Sequence, residues 1–229
     1  MSKEKVLSNI SQTDAWLSSG LAFVGGYGDA ASFVLAKTFT GHVTGNLVLA
    51  AVAIAAHDWR AALGHLSAIV TFLTGIFVSV LIVRPLKARS SWPLLPTIMG
   101  IEVLLIVAAS LALSSDMAHG VEVFVIFVSL ALGLQNGAFR HVGGVSVHTT
   151  YLTGMITSLI STEAEQYASE VIPPIVRAHD PKIGLLCGIW IAFVVGAGTG
   201  AAMVLHFGAV GMVGAALLLI PLALREVQS

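Results

Sequence analysis

Charge is scarce in this chain. Of its 229 residues, 10% are Asp, Glu, Lys or Arg and 56% are hydrophobic. A soluble domain carries about 25% charged residues, because its surface must be wetted. A chain this poor in charge cannot cover itself with polar groups, so much of its outer face must meet lipid. The net charge of −1 excludes both a basic surface for nucleic acid and an acidic tail. The single cysteine, Cys187, lies in an apolar run, so neither an intramolecular disulfide nor a thiolate metal site can form. There is no His-Glu-x-x-His zinc motif and no Walker loop. Gly144-Val145-Ser146-Val147-His148 mimics a nucleophile elbow but has His where Gly is required. The eight histidines are scattered. No enzyme, cofactor or metal centre is therefore expected. The polar N-terminal stretch Met1–Asp14 lacks a short apolar core followed by a small-residue cleavage site, so the first apolar run is expected to be retained as a span.

In place of charge there are apolar runs, and the mean hydropathy is +0.92. Eight can be drawn: 16–37, 43–56, 61–83, 94–113, 121–139, 147–160, 183–205 and 207–224. Crossing the hydrocarbon core takes about 20 helical residues. Six runs are near that length; those beginning at Val43 and Val147 are too short. Such elements can be re-entrant if other helices bury their backbone. The positive-inside rule separates the alternatives. With eight crossings and a cytoplasmic N-terminus, Lys3, Lys5, Arg60, Arg177, Lys182 and Arg225 fall inside, and Lys37, Arg84, Lys87, Arg89 and Arg140 outside, 6 against 5. With six crossings, Arg84, Lys87, Arg89 and Arg140 move in and Arg60 moves out, 9 against 2. The sequence thus predicts an all-α membrane protein with six transmembrane helices, two short re-entrant segments and both termini cytoplasmic.

The run lengths repeat in order: long, short, long, long, twice. Gly26-Tyr27-Gly28-Asp29-Ala30 matches Gly133-Leu134-Gln135-Asn136-Gly137. Thr40-x-x-x-Thr44-Gly45 matches Thr149-x-x-x-Thr153-Gly154, and Phe72-x-x-Gly75 matches Phe193-x-x-Gly196. Repeat one covers about 15–113 and repeat two about 120–225, within one transmembrane domain. Three spans per repeat make the halves enter from opposite sides, an inverted 3+3 arrangement that many transporters use to place a site at the bilayer midplane. An insertion at 161–182 interrupts the second repeat. Thr162-x-x-Glu165 reads there as a capping box opening a short helix that Pro173-Pro174 ends, in a solvated cytoplasmic loop.

Asp29 is the most informative residue, since a carboxylate facing lipid near mid-span costs several kcal/mol. Two readings compete. It is either a proton or solute site, or a buried acid bonded to backbone freed by Gly25, Gly26 and Gly28. Thr44 and Thr153 are expected to cap the short segments, with Asn46 beside the first and Asn136 the neutral counterpart of Asp29. Helix starts meeting at the midplane would offer free N–H donors to a polar or anionic group. The candidate substrate-binding set is Asp29, Thr44, Asn46, Asn136 and Thr153. Glu102 and Glu122 are expected to snorkel to the headgroups or pair with a neighbouring helix. His65 and His206 are read as interfacial, Arg140-His141 as a lipid-phosphate anchor, and Trp16, Trp59 and Trp92 as an aromatic belt.

Gly26-Tyr27-Gly28-Asp29-Ala30-Ala31-Ser32-Phe33, followed by Thr44-Gly45-Asn46-Leu47-Val48, resembles the YoaK family of small bacterial membrane proteins. Phe72-x-x-Gly75 and Gly133-x-x-Asn136-Gly137 also fit its pattern, and the resemblance covers nearly the whole chain. Met155 stands where a polar residue would complete the internal symmetry. The resemblance implies a multi-pass protein of the bacterial cytoplasmic membrane and supplies no substrate. The leading expectation is a small-solute secondary transporter or channel-like protein, with lipid and an unidentified solute as partners and an oligomer left open. The rival is a non-transporting scaffold or sensor, whose 161–182 loop meets a partner. A wet cavity at Asp29 favours the first, a dry backbone-bonded Asp29 the second.

Overall fold

Where water is absent, every backbone N–H and C=O must find its partner inside the chain, so long apolar runs become helices. The computed structural model describes residues 12–88, 94–115, 117–139, 141–142, 145–146, 154, 156–157, 160–161, 164 and 181–228. The helices are α1 (Gln12–Ala36), α2 (Val43–Ala55), α3 (Trp59–Ala88), α4 (Leu94–Ser114), α5 (Gly120–Ala138), α6 (Pro181–Phe207) and α7 (Val213–Gln228). A 3-10 turn, Gly208–Met212, joins the last two, and β1 (His141–Val142) pairs antiparallel with β2 (Val145–Ser146). Gly208 opens that turn at φ +60°, a left-handed conformation that glycine adopts without strain. Each helix lies within six residues of the run that announced it. In the second short run and the 161–182 insertion the described residues are 154, 156–157, 160–161 and 164, all helical, and 181–182, which open α6. Thr153, Thr162, Glu165 and Pro173-Pro174 lie outside the described residues.

Among the described residues, four stretches are long and apolar enough to cross a membrane: Trp59–Ile82, Leu94–Ser114, Gly120–Ala138 and Gly184–Glu226. Their outward faces are greasy. On α3, Leu63, Leu66, Val70, Leu73, Phe77 and Leu81 recur every three or four residues and are all exposed. In water such a stripe would cost each side chain about 1.5–3 kcal/mol of lost burial; against lipid it costs nothing, which is why it exists.

The interior is organised around α1 and α5. Leu21, Ala22, Ala31 and Ser32 of α1 and Val128, Ala131 and Leu132 of α5 are all fully buried. The two helices run antiparallel, since Gln135 Nε2 donates to the Leu21 carbonyl at 3.1 Å while Gly28 packs on Leu132. Each has one intimate parallel neighbour. A Cβ on Gly26 would collide with the Phe193 carbonyl of α6, and one on Gly196 with the Phe23 carbonyl. Between α3 and α5, a Cβ on Gly133 would collide with the Phe72 carbonyl, and one on Gly75 would stand 2.6 Å from the Leu130 carbonyl. Lipid tails are as apolar as leucine, so helices gain by close backbone approach, and small residues permit it. α4 and α5 form a hairpin in which Gly120 fits against the Ala112 carbonyl. α7 returns along α1, where the Tyr27 hydroxyl donates to the Gly211 carbonyl and Gly20 meets Leu222.

Candidate functional site

Between α1 and α2 the chain runs through Lys37-Thr38-Phe39-Thr40-Gly41-His42 without forming helix. A loop packed against neighbouring helices needs partners for its N–H groups, and two side chains supply them. Asp29, seven residues before the end of α1, accepts from the Thr40 and Gly41 N–H groups through Oδ1, both at 2.8 Å. Asn46, in the first turn of α2, accepts from Phe39 N–H at 3.1 Å and donates to the Phe39 carbonyl at 2.6 Å. Two side chains thus satisfy three consecutive N–H groups. The other carboxylate oxygen, Oδ2, is taken by His42 Nδ1. The Thr40 hydroxyl completes the loop by donating to Ser32 Oγ at 3.2 Å.

Packing fixes the loop as firmly as the hydrogen bonds do. Phe39 stacks on Phe33 with ring centroids 4.5 Å apart, and His42 meets the edge of Phe193 on α6 at 5.9 Å. Gly45 passes under Phe39, where a Cβ would sit 3.2 Å from its ring. Asp29 is 3% exposed and Asn46 2%, whereas the His42 side chain keeps 38% of its surface open. Chemically this is a latch. Both oxygens of Asp29 are already spent, so a cation or polar solute reaching it must displace His42 or the loop.

The expected site is brought together only in part. Asp29 and Asn46 converge on the same loop. Asn136 does not reach it. On the antiparallel α5 it lies level with the Leu21 region of α1, about two helical turns from Asp29, and its amide donates to Leu132 O at 2.9 Å. Thr44 does not cap α2. The helix begins at Val43 after an extended His42 (φ −110°, ψ 92°) that makes no side-chain cap bond, and Thr44 is exposed inside the first turn. The cap moved because Asp29 pulls the backbone turn back onto residues 40–42. His42, the imidazole of this cluster, was not among the expected site residues. Its signal was a titratable residue directly before a short apolar run.

A separate cavity of about 600 Å³ opens where α1 ends and α3 and α5 begin, lined among others by Lys37, Thr38, Arg60, His65, Ser67 and Glu122. Arg60 and Glu122 pair across its rim at 2.9 Å, which meets the expectation of a neighbouring-helix partner for Glu122. At its base Thr38 Oγ1 and His65 Nδ1 stand 3.4 Å apart. His65 is only 7% exposed, so it is a buried wall of this cavity. Asp58 caps α3 by accepting from Ala61 N–H at 3.0 Å. The approach to α2 and its exit therefore sit at the same end of α3. Glu102 departs from expectation: it is 0% exposed, and among the described residues neither of its oxygens has a partner. Among the described residues no group of three or more His, Cys, Asp or Glu could hold a metal ion.

The comparisons agree with a membrane protein. A family model described as a protein of unknown function, DUF1275, matches residues 17–224. The chain is 30% identical over 147 residues to the UPF0700 transmembrane protein YoaK of Bacillus subtilis (strain 168), an alignment covering 63% of this chain and 62% of that relative. It thus spans somewhat under two thirds of the relative's length. No solved structure matches. With the Asp29 and Asn46 loop, the apolar helices and a family match over most of its length, the chain belongs to the DUF1275 family of YoaK-like membrane proteins.

Proposed function

We propose that this protein is a small-solute transporter or channel-like protein of the bacterial cytoplasmic membrane, built as six spans and two re-entrant segments in an inverted 3+3 repeat. The observation that carries the reading is the doubled helix crossing. Gly26 on Phe193 and Gly196 on Phe23 join α1 to α6; Gly133 on Phe72 and Gly75 on Leu130 join α5 to α3. Exchanging α1 with α5 and α3 with α6 turns one crossing into the other, and α1 and α5 point in opposite directions. That is the relation an inverted repeat requires. α2 supports the re-entrant part. Its 13 residues reach about 20 Å, short of a core about 30 Å thick, and the chain enters and leaves it at one end of α3. The 600 Å³ cavity is then an outward vestibule, and the Asp29–His42 latch closes the way beneath it. Both termini face the cytoplasm, and no catalysis is involved.

Stopped-flow light scattering on proteoliposomes tests this, with a panel of small neutral and charged solutes imposed as osmotic gradients. At least one solute should equilibrate faster than in protein-free vesicles, and Asp29→Asn should change that rate severalfold by loosening the latch. A folded protein passing no solute, with rates untouched by Asp29→Asn, sinks the reading. The scaffold alternative has one observation in its favour: both Asp29 oxygens are bonded to the protein itself, Oδ1 to backbone and Oδ2 to His42. It becomes the account if no flux is found.

A further inference from the structure

Glu102 is the ninth residue of the 21-residue α4, about 12 Å along a helix rising 1.5 Å per residue and so close to the middle of the span. It lies on the buried stripe Ile98, Met99, Glu102, Ile106 and Ala109, all at 1% exposure or less. Neither carboxyl oxygen has a hydrogen-bond partner among the described residues. The described elements packed on α4 bring no charge to its level. On α5 the titratable residue is Glu122 in its first turn, with His119 just before the helix, both far along the hairpin from the level of Glu102. Those on α7 are Arg225 and Glu226, in its final turn, and the 3-10 turn Gly208–Met212 has none. α3 touches α4 lightly, with Arg60 and His65 near one end and Arg84 and Lys87 near the other. From the hairpin fit of Gly120 on Ala112, Glu102 is level with about residue 130 of α5. Ser129, at about that level of α5, also has a hydroxyl with no partner among the described residues.

An ionised carboxylate in such a place has no counter-charge and no donor among the described residues, and its burial is strongly unfavourable. The group neutralises instead. A neutral acid with no structural bond to lose is also a costly way to fill a helix interface, where Leu or Met would pack at no penalty. We propose that Glu102 is a proton-binding site, carried as the neutral acid in this packed state and exchanging its proton when α4 parts from α5 and α7. On release the O–H bond breaks, the proton goes to water admitted between the helices, and a carboxylate remains. On binding the reverse occurs. The inference deepens the transport reading, on which its role rests, by naming the proton as the coupled ion.

Infrared spectroscopy of the full chain in lipid bilayers reads this directly. At neutral pH the wild type should show the carbonyl stretch of a protonated carboxylic acid, and Glu102→Gln should remove it. On transfer to heavy water the band should shift while the protein stays folded, because a working proton site must open. A band absent from the wild type overturns the proposal, as does one that persists in Glu102→Gln. A band refusing to shift until the chain unfolds overturns it too, leaving a merely structural acid. Should Glu102→Gln fail to assemble, Glu102→Asp must move the band in frequency if the residue is its source. No solute is present, so the result judges Glu102 alone, and the flux experiment judges transport separately.

Discussion

Gly133 of α5 rests against the carbonyl of Phe72 on α3 with no room for a methyl group between them. Gly26 of α1 stands in the same relation to Phe193 on α6. The obstructing atoms are backbone, which cannot swing aside as a side chain does. Gly26→Ala and Gly133→Ala should each force a helix pair apart and lower stability by about 1–3 kcal/mol, the usual range for overpacking. Gly64→Ala is the control, since nothing lies within 4 Å of a Cβ there. Thermal unfolding in detergent measures all three. Equal tolerance of the three changes would show that the crossings are not close.

Asp29 distinguishes a latch from a filler. Asp29→Asn keeps an acceptor for the Thr40 and Gly41 N–H groups but weakens the hold on His42, so it should fold with modest loss. Asp29→Ala strands two buried donors, each worth about 1–3 kcal/mol when unsatisfied, and should be the far more damaging change. A similar loss for both variants in an unfolding assay would mean that the backbone bonds to Asp29 matter little.

Asn46 and Thr44 differ by two positions and should behave as opposites. Asn46→Ala removes the partner of both Phe39 backbone groups, at about 1–3 kcal/mol for each group left bare. Thr44→Val alters an exposed side chain that caps nothing and should be near neutral. Expression level and melting temperature compared side by side decide it. A costly Thr44→Val would restore the hydroxyl as the helix cap.

Much of this architecture was legible in residue types. Length and apolarity mark the helices, since lipid demands both. Gly26 and Gly133, and Phe72-x-x-Gly75 and Phe193-x-x-Gly196, were legible as a repeat; that these residues make two close helix crossings is seen only in the structure. Asp29 was legible as a buried acid, but its partners were not. Two are backbone N–H groups eleven and twelve residues on, which no side-chain pattern announces, and the third is the His42 imidazole. Glu102 was misread for a different reason. α4 is apolar all round, so periodicity has no contrast by which to tell the lipid face from the packed one. Distance from the helix end was then the only guide, and it pointed to the headgroups. Thr44 was misplaced because the loop geometry that sets the helix start is imposed from α1.

The central claim is that the chain between α1 and α3 dips into the membrane and returns on the side it entered. Lys37 and Asp58, both exposed, flank that excursion. With Cys187 replaced by Ala, single cysteines at 37, 58 and 87 in intact bacteria can be challenged with a membrane-impermeant maleimide. Positions 37 and 58 should both react from outside, and position 87 only after the membrane is opened. Labelling of 37 and 58 from opposite faces would make α2 a full crossing and contradict the account.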